Sequence, residues 1–524
     1  MQPTCLHRFL ESLDADPHAL AIRIVERAGP NAELSYAEIH QLAAGAVGAY
    51  RAAGLKPGDS VILALPTCRD FIALYVGALF GGIIPLVEPV PRASGEPDSA
   101  VSRLRRQADR ISARKIIVQE AALPLVAADV HPLVASAESV LAAAQPCEIA
   151  PPDHPERVAH FQSTSGSTGE HRVVAVRHRH IAANVAGIGS VIKVRPPDSL
   201  CFWLPLFHDM GLIAVTCSFY WRRPMTITDS SNFVRSPIRF WLQTMSQYRA
   251  TITAAPNSAY EACARIARLR KYEDLDLSCV RVAFWGAEPI YPRTIQDFES
   301  AFGPYGYRSE MTFPVYGLAE ATLAATLPAV ETPPVLAEYV NGSAGHPCVC
   351  VGRPLPGHSL RIVGGDQSPV GEGSIGEVQV AGPSVITPSD DSGYLATGDL
   401  GFQRGGNLYV VGRKKELIIV NGRNFIPAEI EEVVGEMVDS GIQKGVAAIG
   451  IVDPKLGSER VHLAIETRVL PFPDQAAIET AIHTRLAQSF GLTGTVIRWV
   501  AKGKIPKTTS GKIQRFRCGS LFYS

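Results

Sequence analysis

Seventeen consecutive residues, Phe71 to Val87, carry no charge. Such a run is either a membrane span or an interior piece of a large fold, and the choice constrains everything around it. A span needs about 20 apolar residues, and this run is interrupted by Gly77, Gly81, Gly82 and Pro85. Those residues divide it into a helix from Asp70 to Phe80, a turn, and a strand. A segment apolar on every side has to be buried on every side, which calls for layers of other elements around it. With 524 residues, 46% of them apolar and 19% charged, the chain can supply those layers. That length suggests two to four domains at roughly 100–200 residues each.

The neighbouring sequence has the matching texture. Leu20 to Ser35 reads as strand and turn, Ala37 to Ala53 as an amphipathic helix, and Ser60 to Leu65 as a strand. Leu104 to Ala108 and Ala135 to Ala144 read as helical pieces around a strand at Lys115 to Val118. Alternation of this kind predicts an α/β fold with buried, largely parallel strands. From about Val351 glycine and proline become dense, and short β-rich runs appear at Leu360–Val363, Gly376–Val380 and Leu408–Val411. A smaller β-rich subdomain is expected there. Beyond it, Glu416–Val420 reads as a strand and Pro427–Val438 as a helix with proline in its first turn.

Basic and acidic residues number 50 each, so the formal net charge is zero. That argues against a chain-wide surface for nucleic acid or anionic membrane. The ten cysteines contain no C-x-x-C pair and no zinc-finger spacing, so they read as reduced thiols. Nothing at the N-terminus resembles a signal peptide, which makes the cytoplasm the default location.

The strongest local signal is STSGSTGEHR, Ser163 to Arg172. Glycines let a backbone turn tightly, and N–H groups with hydroxyls can wrap phosphate oxygens. By itself the segment reads equally well as a polar surface turn, and it is not a Walker A loop. Gly371, Gly373 and Gly376 match G-x-G-x-x-G, but a strand-like run follows them instead of the helix a dinucleotide site needs. Further motifs are WLPLFHDMG (Trp203 to Gly211), WGAEP (Trp285 to Pro289), VYGLAEATL (Val315 to Leu323), TGDLG (Thr397 to Gly401), GRKKELIIVNGRN (Gly412 to Asn424) and PKTTSGKIQR (Pro506 to Arg515). Singly, each has an ordinary reading: Tyr316 as a core aromatic, Glu320 as a solvated helix residue, Lys512 as a surface lysine.

Taken in order, the motifs resemble the adenylate-forming superfamily of acyl-CoA synthetases, adenylation domains and luciferases, from about Leu34 to Arg515. WLPLFHDMG and YGLAEATL are most similar to its fatty acyl-AMP ligase branch, which feeds acyl groups to carrier proteins. The resemblance implies a large N-terminal adenylation domain (1–414, with a β-rich subdomain at about 351–414) and a small mobile α+β C-terminal domain (415–524). It implies ATP-dependent activation of a carboxylic acid, fatty or modified, to an acyl-adenylate. Transfer to the phosphopantetheine thiol of a carrier protein acting in trans then follows. The implied cofactors are ATP and Mg2+.

The same resemblance implies residue roles. Thr164, Ser165, Gly166, Ser167, Thr168 and Gly169 would hold the β- and γ-phosphates with Arg172 nearby, and Glu320 would bind the metal. Gly286, Ala287 and Glu288 would line the adenine pocket, Tyr316 and Gly317 would sit against the base, and Asp399 would take the ribose hydroxyls with Arg413 beside it. Lys512 would bridge the α-phosphate and the reacting carboxylate; with Glu320 and Thr164 it makes the implied catalytic set. Lys415 would be the hinge, and Asn421 with Gly422 would face the thiol tunnel. His208, Asp209, Met210, Ala254, Ala255 and Ser258 would border the acyl pocket, His208 as a neutral gate or positioning group and Asp209 as a structural one.

Several positions depart from the family's pattern. His171, Arg172 and Val173 replace the usual Pro-Lys-Gly, and Trp285 stands where Asn is common. Ala254, Ala255, Pro256, Asn257 and Ser258 replace Gly-Gly-Pro-Asn-Phe, which points to a shorter or functionalised acyl group. The interval Thr326–Val349, where acyl-AMP ligases carry an insertion disfavouring coenzyme A, looks short. An acyl-CoA or aryl-CoA synthetase, a stand-alone amino-acid adenylating enzyme and a non-catalytic ligand-binding relative therefore remain alternatives. No nucleic acid and no membrane span are expected. Lys502, Lys504, Lys507, Lys512, Arg515 and Arg517 gather positive charge where an anionic reaction needs it.

Overall fold

A computed structural model describes residues 3–91, 97–130, 132–143, 145–151, 154–165, 171–341, 344–438, 443–453, 457–467, 474–507 and 513–523. The uncharged run folds as its composition dictates. Helix Arg69–Gly81 has every residue from Phe71 to Phe80 buried, and Gly82 closes it in the left-handed conformation (φ 66°) that only glycine adopts freely. Strand Ile84–Val87 follows it into a six-stranded sheet. Across that sheet the order is Val134–Ser136, Ala113–Val118, Ser60–Ala64, Ile84–Val87, Val158–Ser165 and His171–Arg177. All neighbours in it are parallel except the last pair, which forms a hairpin.

A second, seven-stranded sheet runs Thr312–Pro314, Val282–Gly286, Ile252–Pro256, Leu200–Phe202, Met225–Thr228, Leu20–Val25 and Ala32–Ser35. It is parallel apart from its edge hairpin Leu20–Val25/Ala32–Ser35. Helices cover both sheets, and one continuous hydrophobic core reaches from Cys5 to Leu355. The parallel architecture matches the expectation. Two helical expectations are extended or shortened: the 104–108 piece belongs to a helix spanning Pro97–Ile111, and 135–144 divides into a strand ending at Ser136 and helix Ala137–Ala142.

The β-rich region is a four-stranded antiparallel sheet of Ser359–Val363, Gly376–Ala381, Leu395–Arg404 and Asn407–Arg413. The stretch expected as one strand from Glu416 instead opens with a single helical turn, Lys414–Glu416, and the strand is Ile418–Val420. Helix Pro427–Val438 has the predicted bounds. It packs with helix Gln475–Phe490 and a three-stranded sheet around a separate core running from Ile418 to Trp499. The molecule thus has a large N-terminal and a smaller C-terminal domain. All ten cysteines are unpaired, and no helix among the described residues is long and apolar enough to cross a membrane.

Hairpin Leu336–Asn341/Ala344–Val349 joins the two regions. Its Tyr339 hydroxyl donates to the buried Glu429 carboxylate, and its His346 ring stacks on Phe490 with centroids 5.5 Å apart and planes at 6°.

Candidate active site

The described residues of the glycine–hydroxyl segment belong to the hairpin that closes the six-stranded sheet, with Thr164 opposite Arg172 and Ser165 opposite His171. Gly166, Ser167, Thr168 and Gly169 lie outside the described residues, as does Lys512. Thr164 is buried, and its hydroxyl has no hydrogen-bond partner among the described residues. A buried hydroxyl in that state is costly unless something else supplies a partner. Arg172 is exposed.

At Ser163 of the same hairpin lies a polar cluster that motif reading missed. Ser163 Oγ donates to Glu88 Oε1 at 2.7 Å, and Gln107 Nε2 donates to Ser163 Oγ at 3.0 Å. Arg103 pairs with the other Glu88 oxygen at 3.2 Å. Glu88 is the first charge after the uncharged run, and it is 3% exposed. An acidic residue directly after a fully buried strand was the available signal.

The carboxyl ends of strands Ile252–Pro256 and Val282–Gly286 lie side by side, with Ala254 opposite Phe284, Ala255 opposite Trp285 and Pro256 opposite Gly286. Ligands of open parallel sheets bind beyond such strand ends. Ala287 takes a left-handed φ of 64°, unusual for a residue with a Cβ. Glu288 accepts from the Ser258 amide at 2.9 Å and from its hydroxyl at 3.1 Å. The polarity that Ser258 brings is therefore engaged by Glu288. Trp285 is fully buried, its ring stacked on Tyr260 at 3.6 Å, so this departure from the family's usual Asn fills the core.

Tyr316, Asp399 and Arg413 form a further polar cluster. The buried Tyr316 hydroxyl donates to Asp399 Oδ2 at 2.7 Å, and Arg413 Nε meets Oδ1 at 2.9 Å. Asp399 and Arg413 face each other across adjacent strands. Gly317 admits no side chain, because a Cβ there would lie 1.9 Å from Leu323 O. Glu320 stands on a single helical turn, Ala319–Ala321.

Asp209 opens helix Asp209–Trp221 directly after His208. Burial pushes its carboxyl up to about 6, a hydrogen bond from the Met210 amide opposes the shift, and the nearby Glu320 charge adds to it. Burial pushes His208 down to about 4, which leaves a neutral ring at physiological pH. Both groups retain some exposed surface.

In the C-terminal region, Asn421 and Gly422 (φ 51° and 76°) form the two-residue turn joining strands Ile418–Val420 and Arg423–Phe425. Paired left-handed residues suit the twist of such a hairpin. Lys415 is exposed on the turn Lys414–Glu416. Arg515, read in the sequence as part of a basic run, is engaged by two carboxylates: Glu431 at 2.6 and 3.0 Å, and Glu416.

The family model for AMP-binding enzymes matches residues 9–388. The chain belongs to the AMP-binding enzyme family. Among relatives, a protein of Mycobacterium tuberculosis named as a fatty-acid–CoA ligase is 31% identical, covering 88% of this chain and 87% of its own. The medium-chain-fatty-acid–[acyl-carrier-protein] ligase of Moorena producens is 28% identical over 93% and 90%. A structure from work on the fatty acyl-adenylate ligases of E. coli and L. pneumophila superposes with a TM-score of 0.88 at 29% identity, covering 99% and 98% of the two chains.

AMP-binding enzymes of this kind use ATP and Mg2+, and the residues here fit both. Thr164 offers a buried hydroxyl that has no partner among the described residues. Each Asp399 oxygen has accepted one bond and keeps capacity for another. Among the described residues no three His, Cys, Asp or Glu side chains converge as a metal site. Glu320 and Asp209 are neighbouring oxygen donors, and Mg2+ is typically held by one or two carboxylates plus phosphate oxygens.

Proposed function

We propose that this enzyme activates a carboxylic acid as its acyl-adenylate and passes the acyl group to the phosphopantetheine thiol of a carrier protein. The observation that carries this reading is the Tyr316–Asp399–Arg413 cluster, which presents a carboxylate with spare acceptor capacity next to a buried aromatic residue. Such a carboxylate suits the two ribose hydroxyls of a nucleotide.

In the first step a carboxylate oxygen of the acid bonds to the α-phosphorus of ATP, and the bond from that phosphorus to the departing pyrophosphate breaks. Both reactants are anions, so positioning and charge neutralisation carry the catalysis. Thr164 with the 165–169 loop and Arg172 serve the β- and γ-phosphates. Tyr316 and Gly317, with Gly286, Ala287 and Glu288, hold the base. Lys512 neutralises charge between the α-phosphate and the incoming carboxylate. Glu320 would hold Mg2+, which would supply charge neutralisation at the leaving pyrophosphate. The acid is already ionised at pH 7, so no general base is needed, in keeping with a neutral His208. In the second step the thiol sulfur bonds to the acyl carbon, the bond from that carbon to the phosphate oxygen breaks, AMP departs with the electron pair, and the thiol proton passes to solvent. The 415–524 domain turns about Lys415 between the steps, bringing Asn421 and Gly422 to the thiol tunnel.

Ala254 and Ala255, both buried near the carboxyl end of strand Ile252–Pro256, are read with His208, Asp209 and Met210 as bordering the acyl pocket, and they favour a shorter or functionalised acyl chain over a long plain one. Contacts of Tyr339 and His346 with the C-terminal region support a carrier protein over coenzyme A, since they tie that region to the hairpin. A panel of carboxylic acids scored by ATP-dependent pyrophosphate release, with thioester formation on a carrier protein and on coenzyme A in parallel, tests the proposal. Acid-dependent pyrophosphate release with thioester on the carrier is expected. Efficient coenzyme A thioester without carrier loading would establish the acyl-CoA synthetase alternative, and an optimum at long unbranched acids would remove the short-chain reading.

A further inference from the structure

The turn that carries Glu320 is built around an unfavourable conformation. Thr322, which ends it, has φ 76° and ψ −56°, and a β-branched residue at positive φ is a marked outlier. Conformations of this kind persist only where the surroundings over-determine them. Here the surroundings are fully buried polar side chains from distant parts of the chain, none of them assigned to nucleotide or acid.

Asn184, on helix His178–Val191, spans the turn. Its amide nitrogen donates to Ala324 O at 2.8 Å and approaches Ala321 O at 3.2 Å and Ser384 Oγ at 3.0 Å, while its oxygen accepts from the Ala324 amide at 3.2 Å. Ser384 closes the other side, its carbonyl accepting from the Thr322 hydroxyl at 2.8 Å. His358 Nδ1 faces the Pro356 carbonyl at 3.2 Å, which makes it the protonated nitrogen and leaves Nε2 to accept from Ser384 Oγ at 2.7 Å. The carbonyl of Glu320 itself accepts from the Ile386 amide at 2.8 Å. Asn184, Thr322 and Ser384 are each at most 1% exposed.

We infer that Asn184, Thr322 and Ser384 are positioning residues that lock the strained Glu320 turn and thereby set how tightly the site takes a divalent cation together with ATP. The inference rests on the reading of Glu320 as the metal ligand. Magnesium demands near-ideal octahedral geometry and short metal–oxygen distances, so a carboxylate on a relaxed backbone serves it poorly. Thr322→Val keeps the side-chain shape, removes the hydrogen bond that the Thr322 hydroxyl gives to Ser384 O, and frees the turn to leave positive φ.

The test is Mn2+ affinity measured by electron paramagnetic resonance with ATP present and no acid added, alongside metal-free ATP affinity and thermal midpoint. Glu320→Gln should weaken Mn2+ binding more than tenfold. Thr322→Val should weaken it three- to tenfold with metal-free ATP affinity unchanged, and Thr322→Ser, which restores the hydroxyl, should fall within twofold of the parent. If Thr322→Val does not fold, Ser384→Ala takes its place: it keeps the carbonyl that Thr322 uses and should give the same selective loss. Unchanged Mn2+ affinity in these variants beside a weakened Glu320→Gln overturns the positioning role alone. Unchanged affinity in Glu320→Gln overturns the metal-ligand reading and the inference with it. Equal losses of Mn2+ and metal-free ATP affinity also overturn it, because they denote a general collapse of the site.

Discussion

Replacing Asp399 with Asn gives the sharpest check on the nucleotide site. Each carboxylate oxygen has two lone pairs. One on Oδ2 is taken by the Tyr316 hydroxyl at 2.7 Å, and one on Oδ1 by Arg413 at 2.9 Å. One remains on each oxygen, enough for both ribose hydroxyls. A hydrogen bond to a charged group is worth about 1.5–3 kcal/mol. Removing one hydroxyl with 2′-deoxy-ATP should therefore lower kcat/KM for the nucleotide by about 10- to 150-fold in the parent. In Asp399→Asn a single neutral oxygen is left, already claimed by Tyr316 and Arg413, so a ribose bond there is worth about 0.5–1.5 kcal/mol at most. The deoxy penalty should shrink accordingly, with a coupling of about 1–2 kcal/mol between the two changes. The assay is pyrophosphate release at saturating acid for both proteins with both nucleotides. Thermal midpoints check that the loss of the Arg413 partner has not unfolded the variant. An equal deoxy penalty in the two proteins would refute the assignment of Asp399 to the ribose.

Three further outcomes are expected. Asp209 has its carboxyl pushed up to about 6 from 3.8 by burial, so folding favours its protonated form; stability from this group is fully present below pH 3.8 and is lost as pH rises through 6. Asp209→Asn, which keeps an acceptor for the Met210 amide, should therefore stabilise the protein by up to about 3 kcal/mol at pH 8 and hardly at all at pH 3.5; denaturant titrations at the two pH values decide it, and an equal effect at both removes the argument. With His208 pushed down to about 4, the rate–pH profile of His208→Gln between pH 5.5 and 8.5 should keep the parent's shape at whatever absolute rate, and a lost inflection would identify His208 as a proton carrier. Tyr339→Phe removes a hydrogen bond to the buried Glu429, worth about 1.5–3 kcal/mol of contact between hairpin and C-terminal region; limited proteolysis should cut faster near residue 415, and thioester formation with coenzyme A should rise relative to the carrier.

Legibility differs from element to element, for physical reasons. Pro427–Val438 is readable to its ends because a first-turn proline and helical apolar spacing are both local. The uncharged run is readable because nothing but burial can accommodate it. The start of the strand at Ile418 is misplaced because Lys414–Glu416, a charged triplet, has no local pattern separating a helical turn from a strand. Glu88 escaped notice because a lone carboxylate after a strand looks solvated until its partners are known, and one of them, Ser163, lies 75 residues away. Arg515 illustrates the converse: counted with its neighbours it is part of a basic run, yet the buried Glu431 and the partly exposed Glu416 hold it.

Burial pattern and motif chemistry, both contained within windows of a dozen residues, determined the parallel α/β class, the kind of reaction and most of the residues to suspect. Which of those residues meet was decided by the tertiary structure. Tyr316 reaches Asp399 across 83 residues, and Asn184 reaches Ala324 and Ser384 across 140 and 200. No local periodicity encodes such pairs. They arise because packing brings elements of different sheets and helices into contact, where burial then requires every polar group to find a partner.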